Sequence, residues 1–211
     1  MTRSSVAVVK VGGSLLDWIE LPKRLAEYLD EQRARVEGGR TVLIAGGGRA
    51  ADLVRQLDRD HRLGDETAHR LAIRAMDLSA MFLAAILPGS ITVDRLDAIP
   101  AAFNAGQVPV LLAGPILEEI ERPGIVPLPR SWDTTSDSIA ARIAVHLRAE
   151  SLILLKSASL PPGATREEAA RLERVDPLFP DLSNAIPHVA YLNLRDPSAE
   201  LVTLPIQKPQ T

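Results

Sequence analysis

The stretch Val6 to Leu16, VAVVKVGGSLL, constrains the fold more than any other part of this chain. Val6-Ala7-Val8-Val9 is rich in the β-branched residues that favour a buried strand, and it leads straight into Lys10. Gly12, Gly13 and Ser14 follow before the chain turns apolar again. An ammonium at the end of a buried strand costs several kcal/mol unless an anion or a carboxylate meets it. Paired glycines directly after a strand let the backbone approach a ligand and aim bare N–H groups at it. Lys10, the amides of Gly12 and Gly13, and the Ser14 hydroxyl together make a phosphate site. A tight turn after an edge strand, with Lys10 simply solvated, is the other reading open to this stretch.

Lysine usage favours the first reading. The chain carries 24 Lys+Arg, but only Lys10, Lys23, Lys156 and Lys208 are lysines. Two of them end apolar, strand-like runs, VAVVK and LILLK. A compact, strongly hydrated ammonium is not interchangeable with a planar guanidinium, so Lys10 and Lys156 look chosen, and phosphate is the commonest reason.

Strand and helix patterns alternate along the 211 residues. Leu21 to Val36 repeats apolar residues at helical spacing, with Pro22 in a first-turn position and Gly38-Gly39 as the stop. Thr41 to Ala45 is a second buried strand, running into Gly46-Gly47-Gly48, and Ala50 to Asp60 is helical. Asp65 to Leu87 reads as a long helix whose Leu71, Met76, Leu78, Phe82 and Leu83 suggest a packed or subunit-facing position. A strand over Ser90 to Val93, an Ala-rich helix over Ala98 to Ala105, and a strand from Val108 to Leu112 follow. Pro115 to Pro129 is proline-punctuated. Thr135 or Ser136 caps a helix with Ile139, Ile143 and Leu147 on its apolar face. Ser151 to Lys156 is a strand, Arg166 to Glu173 helical, Val175 to Ser183 irregular, and Val189 to Leu194 and Glu200 to Leu204 are strands. This alternation predicts a mostly parallel sheet covered on both faces.

The second glycine cluster formally matches a relaxed dinucleotide fingerprint, Gly46-x-Gly48-x-x-Ala51. That fingerprint wants an acidic residue at the end of a second strand about 20 positions on, where this chain has its long helix. What remains is an anion site: strand, glycines and helix N-terminus present amides of Gly46, Gly47 and Gly48 and a positive dipole. Asp137, in Thr134-Thr135-Ser136-Asp137-Ser138, either caps its helix or stands between Lys10 and Lys156 and satisfies both ammoniums. Asp133 is a candidate for a substrate amine or hydroxyl, and Ser136 for substrate binding.

Lys10-x-Gly12-Gly13-Ser14, the Gly46-Gly47-Gly48 turn and Thr135-Ser136-Asp137-Ser138-Ile139-Ala140-Ala141, in that order over residues 6 to 150, resemble the amino acid kinase superfamily. Ser131-Trp132-Asp133-Thr134-Thr135-Ser136-Asp137-Ser138, and Asp65-x-x-Ala68-His69 leading to Ala75-Met76-Asp77, look most like its small branch of aminomethylfuranmethyl phosphate kinases of methanofuran biosynthesis. The resemblance implies a three-layer αβα sandwich over residues 1–211. The phosphoryl acceptor would lie over residues 1–150 and ATP over a shortened half, 151–211. It further implies that Lys10 contacts the transferred phosphoryl group, that Gly12, Gly13, Gly46 and Gly47 supply amides, and that Asp137 organises the lysines. Lys156 would be the second lysine and, with Ser157, a nucleotide contact; magnesium would arrive with the nucleotide. The acidic Thr-Asp-Val-Asp-Gly loop common after the fourth strand of the family is replaced by Lys156 to Gly163. The competing reading is a non-catalytic anion- or nucleotide-binding member of the same fold.

Trp132 is either loop packing or a flat surface for a substrate ring. His61 and His69 read as surface or interface residues first, His69 being the better candidate for a substrate contact. No His/Asp/Glu spacing suggests a protein-bound metal. A net charge of −3 without a basic cluster argues against nucleic-acid binding, and absent cysteine excludes disulfides and thiolate metal sites. The longest later apolar run, Ala80 to Leu87, is too short to span a bilayer. The expected setting is the cytoplasm, and the expected assembly a homodimer or higher homo-oligomer acting on a small-molecule acceptor.

Overall fold

Apolar runs without polar alternation must be covered on both faces, and in the computed structural model, which describes residues 6–35 and 39–207, they form one sheet. Its strands are β1 (Val6–Val11), β2 (Arg40–Ala45), β3 (Ser90–Val93), β4 (Val108–Leu111), β5 (Ser151–Lys156), β6 (His188–Asn193) and β7 (Val202–Thr203). Their spatial order is β3-β4-β2-β1-β5-β6-β7. β1 pairs in parallel with β2 on one side and β5 on the other, and only the β6–β7 pairing is antiparallel.

The helices are α1 (Leu21–Arg35), α2 (Gly48–His61), α3 (Asp65–Ile86), α4 (Ile99–Asn104), α5 (Ala113–Ile120), α6 (Ser136–His146), α7 (Arg166–Arg171) and α8 (Phe179–Ser183). Successive strand residues point to opposite faces, so the core divides in two. Val8, Val42, Ile44, Leu152, Leu154 and Tyr191 pack with Ile116 of α5, Ile139 and Ile143 of α6 and Phe179 of α8. Val9, Val11, Leu43, Ile153 and Leu155 pack with Leu21, Leu25 and Leu29 of α1 and with Leu83 of α3. The result is the expected α/β architecture, a mostly parallel sheet between two helical layers.

The structure departs from the sequence expectations where proline misleads. The segment from Pro115 begins inside α5, because proline in a first turn lacks only an N–H that would be unbonded anyway. Pro180 likewise opens α8 within a stretch expected to be irregular. The strand expected over Glu200–Leu204 shrinks to Val202–Thr203, and the Arg166–Glu173 helix ends at Arg171. Val36 and Gly38, the expected end and stop of α1, lie outside the described residues. The apolar stripe on α3 is two faces rather than one. Met76 and Leu83 are in the core, whereas Leu71, Leu78 and Phe82 are exposed, 59% in the case of Leu78.

Beyond β5 the chain is held by a buried cation. The Arg166 guanidinium, 2% exposed, donates to the carbonyls of Leu204, Ser183 and Ile186 at 3.0, 2.6 and 3.2 Å. One side chain thus ties α7, the end of α8 and the segment after β7 together.

Candidate active site

Alternation along the strands decides where the two lysines point. Lys10 lies two residues beyond Val8, and Lys156 two beyond Leu154, so both leave neighbouring strands on the α6 face of the sheet. α6 starts at that edge, with Thr135 as its N-cap accepting from the Asp137 amide at 3.3 Å. Asp137 then reaches both ammoniums: Oδ1 lies 2.9 Å from Lys10 Nζ and Oδ2 2.7 Å from Lys156 Nζ. Lys156 also donates to the carbonyl of Arg174 at 2.7 Å.

The Lys10 and Asp137 side chains are only 4% and 5% exposed, and that of Lys156 16%. Burial pushes the Lys10 ammonium down to about 8, with the carboxylate of Asp137 opposing and the charge of Lys156 adding to the fall. Burial works against the Asp137 carboxylate too, but the charges of Lys10 and Lys156 outweigh it and hold its carboxyl below the usual value. An ion pair this deep persists because each partner would be costly alone.

The glycine turns do something different from what the sequence suggests. The amides of Gly12 and Gly46, expected to face a phosphate, donate instead to Leu155 O and Val11 O, both at 2.8 Å. They prolong the sheet by one residue. A Cβ on Gly12 would meet Leu155 O at 2.9 Å, and one on Gly46 would meet Gly13 N at 2.7 Å. The glycine requirement at these two positions is therefore close backbone packing. Gly13, Gly47 and Gly48 are the members that border open space.

That space is a cleft of about 510 Å³. Gly13, Ser14, Gly47, Gly48 and Ser136 line its polar end, while Ala72, Ile73, Met76 and Ile139 form an apolar wall. Arg49, Arg55 and Arg195 also line it. Lys10 and Lys156 are not in its wall, but Ser136, which is, immediately precedes Asp137. The Ser14 and Ser157 hydroxyls lie 2.7 Å apart, joining the turns after β1 and β5.

Trp132 lines the cleft half-buried, its indole N–H donating to Asp58 Oδ2 of α2 at 2.8 Å and the Arg55 guanidinium lying 4.5 Å from its ring centroid. Asp133 is exposed and does not line the cleft; its amide turns back to the Ser131 hydroxyl at 3.2 Å. His61 is exposed as expected. His69 is not: it is 8% exposed and lines the cleft, because α3 turns that face toward the sheet. Burial pushes its imidazole below the ordinary value, and a hydrogen bond to the Ser131 backbone opposes the fall.

Arg195 and Asp176 are among the side chains of this region that escaped the sequence reading. Arg195, just past β6, donates to the carbonyl of Ser14 at 2.8 Å and enters the cleft. A cation after an apolar run, the signal used for Lys10 and Lys156, is also present in VAYLNLR. Asp176, 5% exposed, accepts from the first turn of α6. Nothing local in its sequence marks it. Among the described residues no group of three or more His, Asp or Glu is arranged to hold a metal ion, and no helix is long and apolar enough to cross a membrane.

The arrangement can therefore offer a glycine turn and the start of α6 to a small anionic group, with two ammoniums held on Asp137, the residue after the cleft-lining Ser136. The sequence profile of the amino acid kinase family matches residues 5–159. Over 149 residues the chain is 32% identical to the [5-(aminomethyl)furan-3-yl]methyl phosphate kinase of Methanocaldococcus jannaschii, covering 70% of this chain and 63% of that relative. The alignment thus spans less than two thirds of the relative's length. Among solved structures, the UMP kinase of Ureaplasma parvum superposes with a TM-score of 0.65 at 16% identity, covering 97% of each chain. Aspartate kinase from Synechocystis gives a TM-score of 0.65 at 16% identity, covering 98% of this chain and 41% of its own. At such identities these two similarities speak for the fold.

Proposed function

The chain belongs to the amino acid kinase family, and we propose that it is a small-molecule kinase moving the γ-phosphoryl group of ATP to an acceptor that already bears a phosphate or carboxylate. The observation that carries this reading is the pair of ammoniums, Lys10 and Lys156, held on one buried carboxylate at the carboxyl edge of the sheet. Ligands of open α/β sheets bind at that edge. Phosphoryl transfer asks for two substrates in line and for cations around the spreading charge. The bond from the γ-phosphorus to the bridging oxygen breaks as one forms to an acceptor oxygen. An ionised acceptor has no proton to lose, so the site needs no general base. Magnesium enters with ATP as part of that substrate.

The acceptor occupies the cleft over residues 1–150, its anionic end toward Gly13, Gly47 and Gly48 and its apolar body against Ile73, Met76 and Trp132. The similarity to the methanofuran-branch relative makes an aminomethylfuranmethyl phosphate the first acceptor to try. The nucleoside lies over the C-terminal half, residues 151–211. A groove of about 550 Å³ there, between Ser159–Gly163 and Asn193–Thr203, has apolar walls at Leu160 and Leu201 and carboxylates at Asp196 and Glu200. Exposed Leu78, Met81 and Phe82 on α3 support a homo-oligomer, to be read by light scattering.

The test is ADP release from ATP-Mg with phosphorylated acceptors, the furan phosphate among them. Acceptor-dependent release supports the kinase. Tight nucleotide or phosphate binding with no release for any acceptor supports the non-catalytic reading.

A further inference from the structure

The segment between α7 and α8, from Arg174 to Phe179, grips the lysine–aspartate cluster from behind. Both oxygens of the buried Asp176 carboxylate are fully used. Oδ2 accepts from the Thr135 amide at 3.1 Å, the Thr135 hydroxyl at 2.6 Å and the Ser138 amide at 3.0 Å. Oδ1 accepts from the Ser138 hydroxyl and from the amides of Leu178 and Phe179 at 3.1 and 3.0 Å. Four of these six donors belong to the N-cap and first turn of α6, the stretch that carries Asp137. Two residues earlier in the same segment, the Arg174 carbonyl accepts from Lys156 at 2.7 Å.

We propose that Asp176 is the positioning residue of this site: it pins the first turn of α6 so that one carboxylate, Asp137, spans both lysines, and it balances their charge. The inference rests on the reading of Lys10, Asp137 and Lys156 as the site's reacting end. Asp176 touches neither substrate nor ammonium by hydrogen bond; it acts through α6. An aspartate serves here because a carboxylate only accepts, and all six groups facing it are donors. Two buried carboxylates then stand against the buried Lys10 and the partly buried Lys156 ammoniums, so the cluster is balanced before an anionic substrate enters. The N–H groups of Thr135 and Ser138 are spent on Asp176, which leaves the Ser136 hydroxyl as the α6 side chain offered to the cleft.

The charged groups facing Lys10 are Asp137 from α6, Lys156 from β5 and Asp176 from the α7–α8 segment. Removing the charge of Asp176 therefore makes the Lys10 ammonium easier to deprotonate, an effect that a purely structural cap would not have. The test variant is Asp176→Asn, whose amide matches the carboxylate in shape but turns an NH₂ toward N–H donors. With side-chain ¹⁵N-labelled lysine the protein gives four ammonium signals to assign, and Lys10 can be titrated directly, whether or not any acceptor is turned over. The expected result is a Lys10 midpoint at lower pH than in wild type. In any acceptor assay that works, kcat falls about a hundredfold, the scale for a catalytic group displaced by about an ångström. Acceptor KM changes less than kcat. An unmoved Lys10 midpoint in folded Asp176→Asn overturns the proposal even if the melting temperature drops. Should that variant fail to fold, Ser138→Ala, which deletes one donor to Oδ1 but keeps the Asp176 charge, tests the pinning alone: a loosened first turn weakens the Asp137–Lys10 pair, and the Lys10 midpoint again falls. It must shift the Lys10 midpoint, and an unchanged midpoint there overturns the proposal equally. Absence of turnover in the wild type, with the midpoint shift present, removes the kinase reading and leaves the role of Asp176 standing.

Discussion

A Cβ on Gly13 would lie 2.4 Å from the backbone nitrogen of Gly48. The turn after β1 and the turn after β2 therefore meet backbone to backbone at the polar end of the cleft, with no room for a methyl group between them. Gly48 adds a left-handed φ of +52°, a conformation that side chains seldom adopt. Gly13→Ala is expected to lose about 1–3 kcal/mol of stability from overpacking alone. Denaturant unfolding measures it. A variant as stable as wild type would show that the turns separate easily and that the contact is not structural.

Lys10→Ala is expected to leave the fold intact and remove most activity. Losing one preorganised charge-stabilising donor costs about 3–4 kcal/mol, on the order of a hundred- to thousandfold in rate. Lys10→Arg should be nearly as damaging, since a guanidinium fork does not fit where one ammonium meets Asp137 Oδ1 at 2.9 Å. Turnover of the arginine variant near the wild-type level would sink the phosphate role of Lys10.

The lowered Lys10 value carries two pH effects of opposite sign. Its folded-state value of about 8 lies below the ordinary 10.5, so between those limits the unfolded chain holds more protons at this position. Its contribution to stability therefore rises as pH climbs through that window. Anion affinity does the reverse, falling as Lys10 loses its charge above about 8. Comparing wild type with Lys10→Met isolates the first effect in thermal unfolding at pH 7.5 and 9.5. Phosphate titration over the same range reads the second. If the two proteins keep a constant stability difference across that range, Lys10 is not perturbed as described.

Trp132→Ala should weaken acceptor binding roughly tenfold, combining a ring contact with lost burial, since about 1.4 kcal/mol is tenfold. Its indole N–H bond to Asp58 also ties α2 to the segment before α6, and α2 buries none of its own residues. Trp132→Phe keeps a ring and loses that tie, so it should fall between wild type and alanine. ATP affinity should hardly change, because the nucleotide is proposed to lie over the other half of the sheet. Fluorescence titration with furan phosphates in a Trp18→Phe background reports on Trp132 alone. An unquenched signal at saturating acceptor would return this indole to ordinary packing.

Sequence alone carried the elements whose information is local. VAVVK, TVLIA and LILLK are strands because β-branched and aliphatic runs without polar alternation have one low-energy fate, a sheet buried on both faces. The same runs placed Lys10 and Lys156 at strand ends, where each ammonium needs a phosphate or a carboxylate to meet it. Asp137 was legible as a candidate partner for both lysines, beside its alternative as a helix cap, because it opens the helix that starts at that edge.

Tertiary structure decided what depends on residues far apart in the chain. Whether a glycine amide faces a ligand or a neighbouring strand is settled by strand register, and register gave the amides of Gly12 and Gly46 to Leu155 and Val11. His69 and Leu71 are two residues apart on one helix, yet one lines the cleft and the other faces outward, because only packing selects which side of α3 meets the sheet. Asp176 lies 38 residues beyond Ser138 and has no motif of its own, since a carboxylate that satisfies another helix's first turn is defined by those distant donors. Arg166 similarly finds its acceptors at Ser183, Ile186 and Leu204. Buried polar groups must find partners wherever the fold supplies them, and that supply is written in three dimensions.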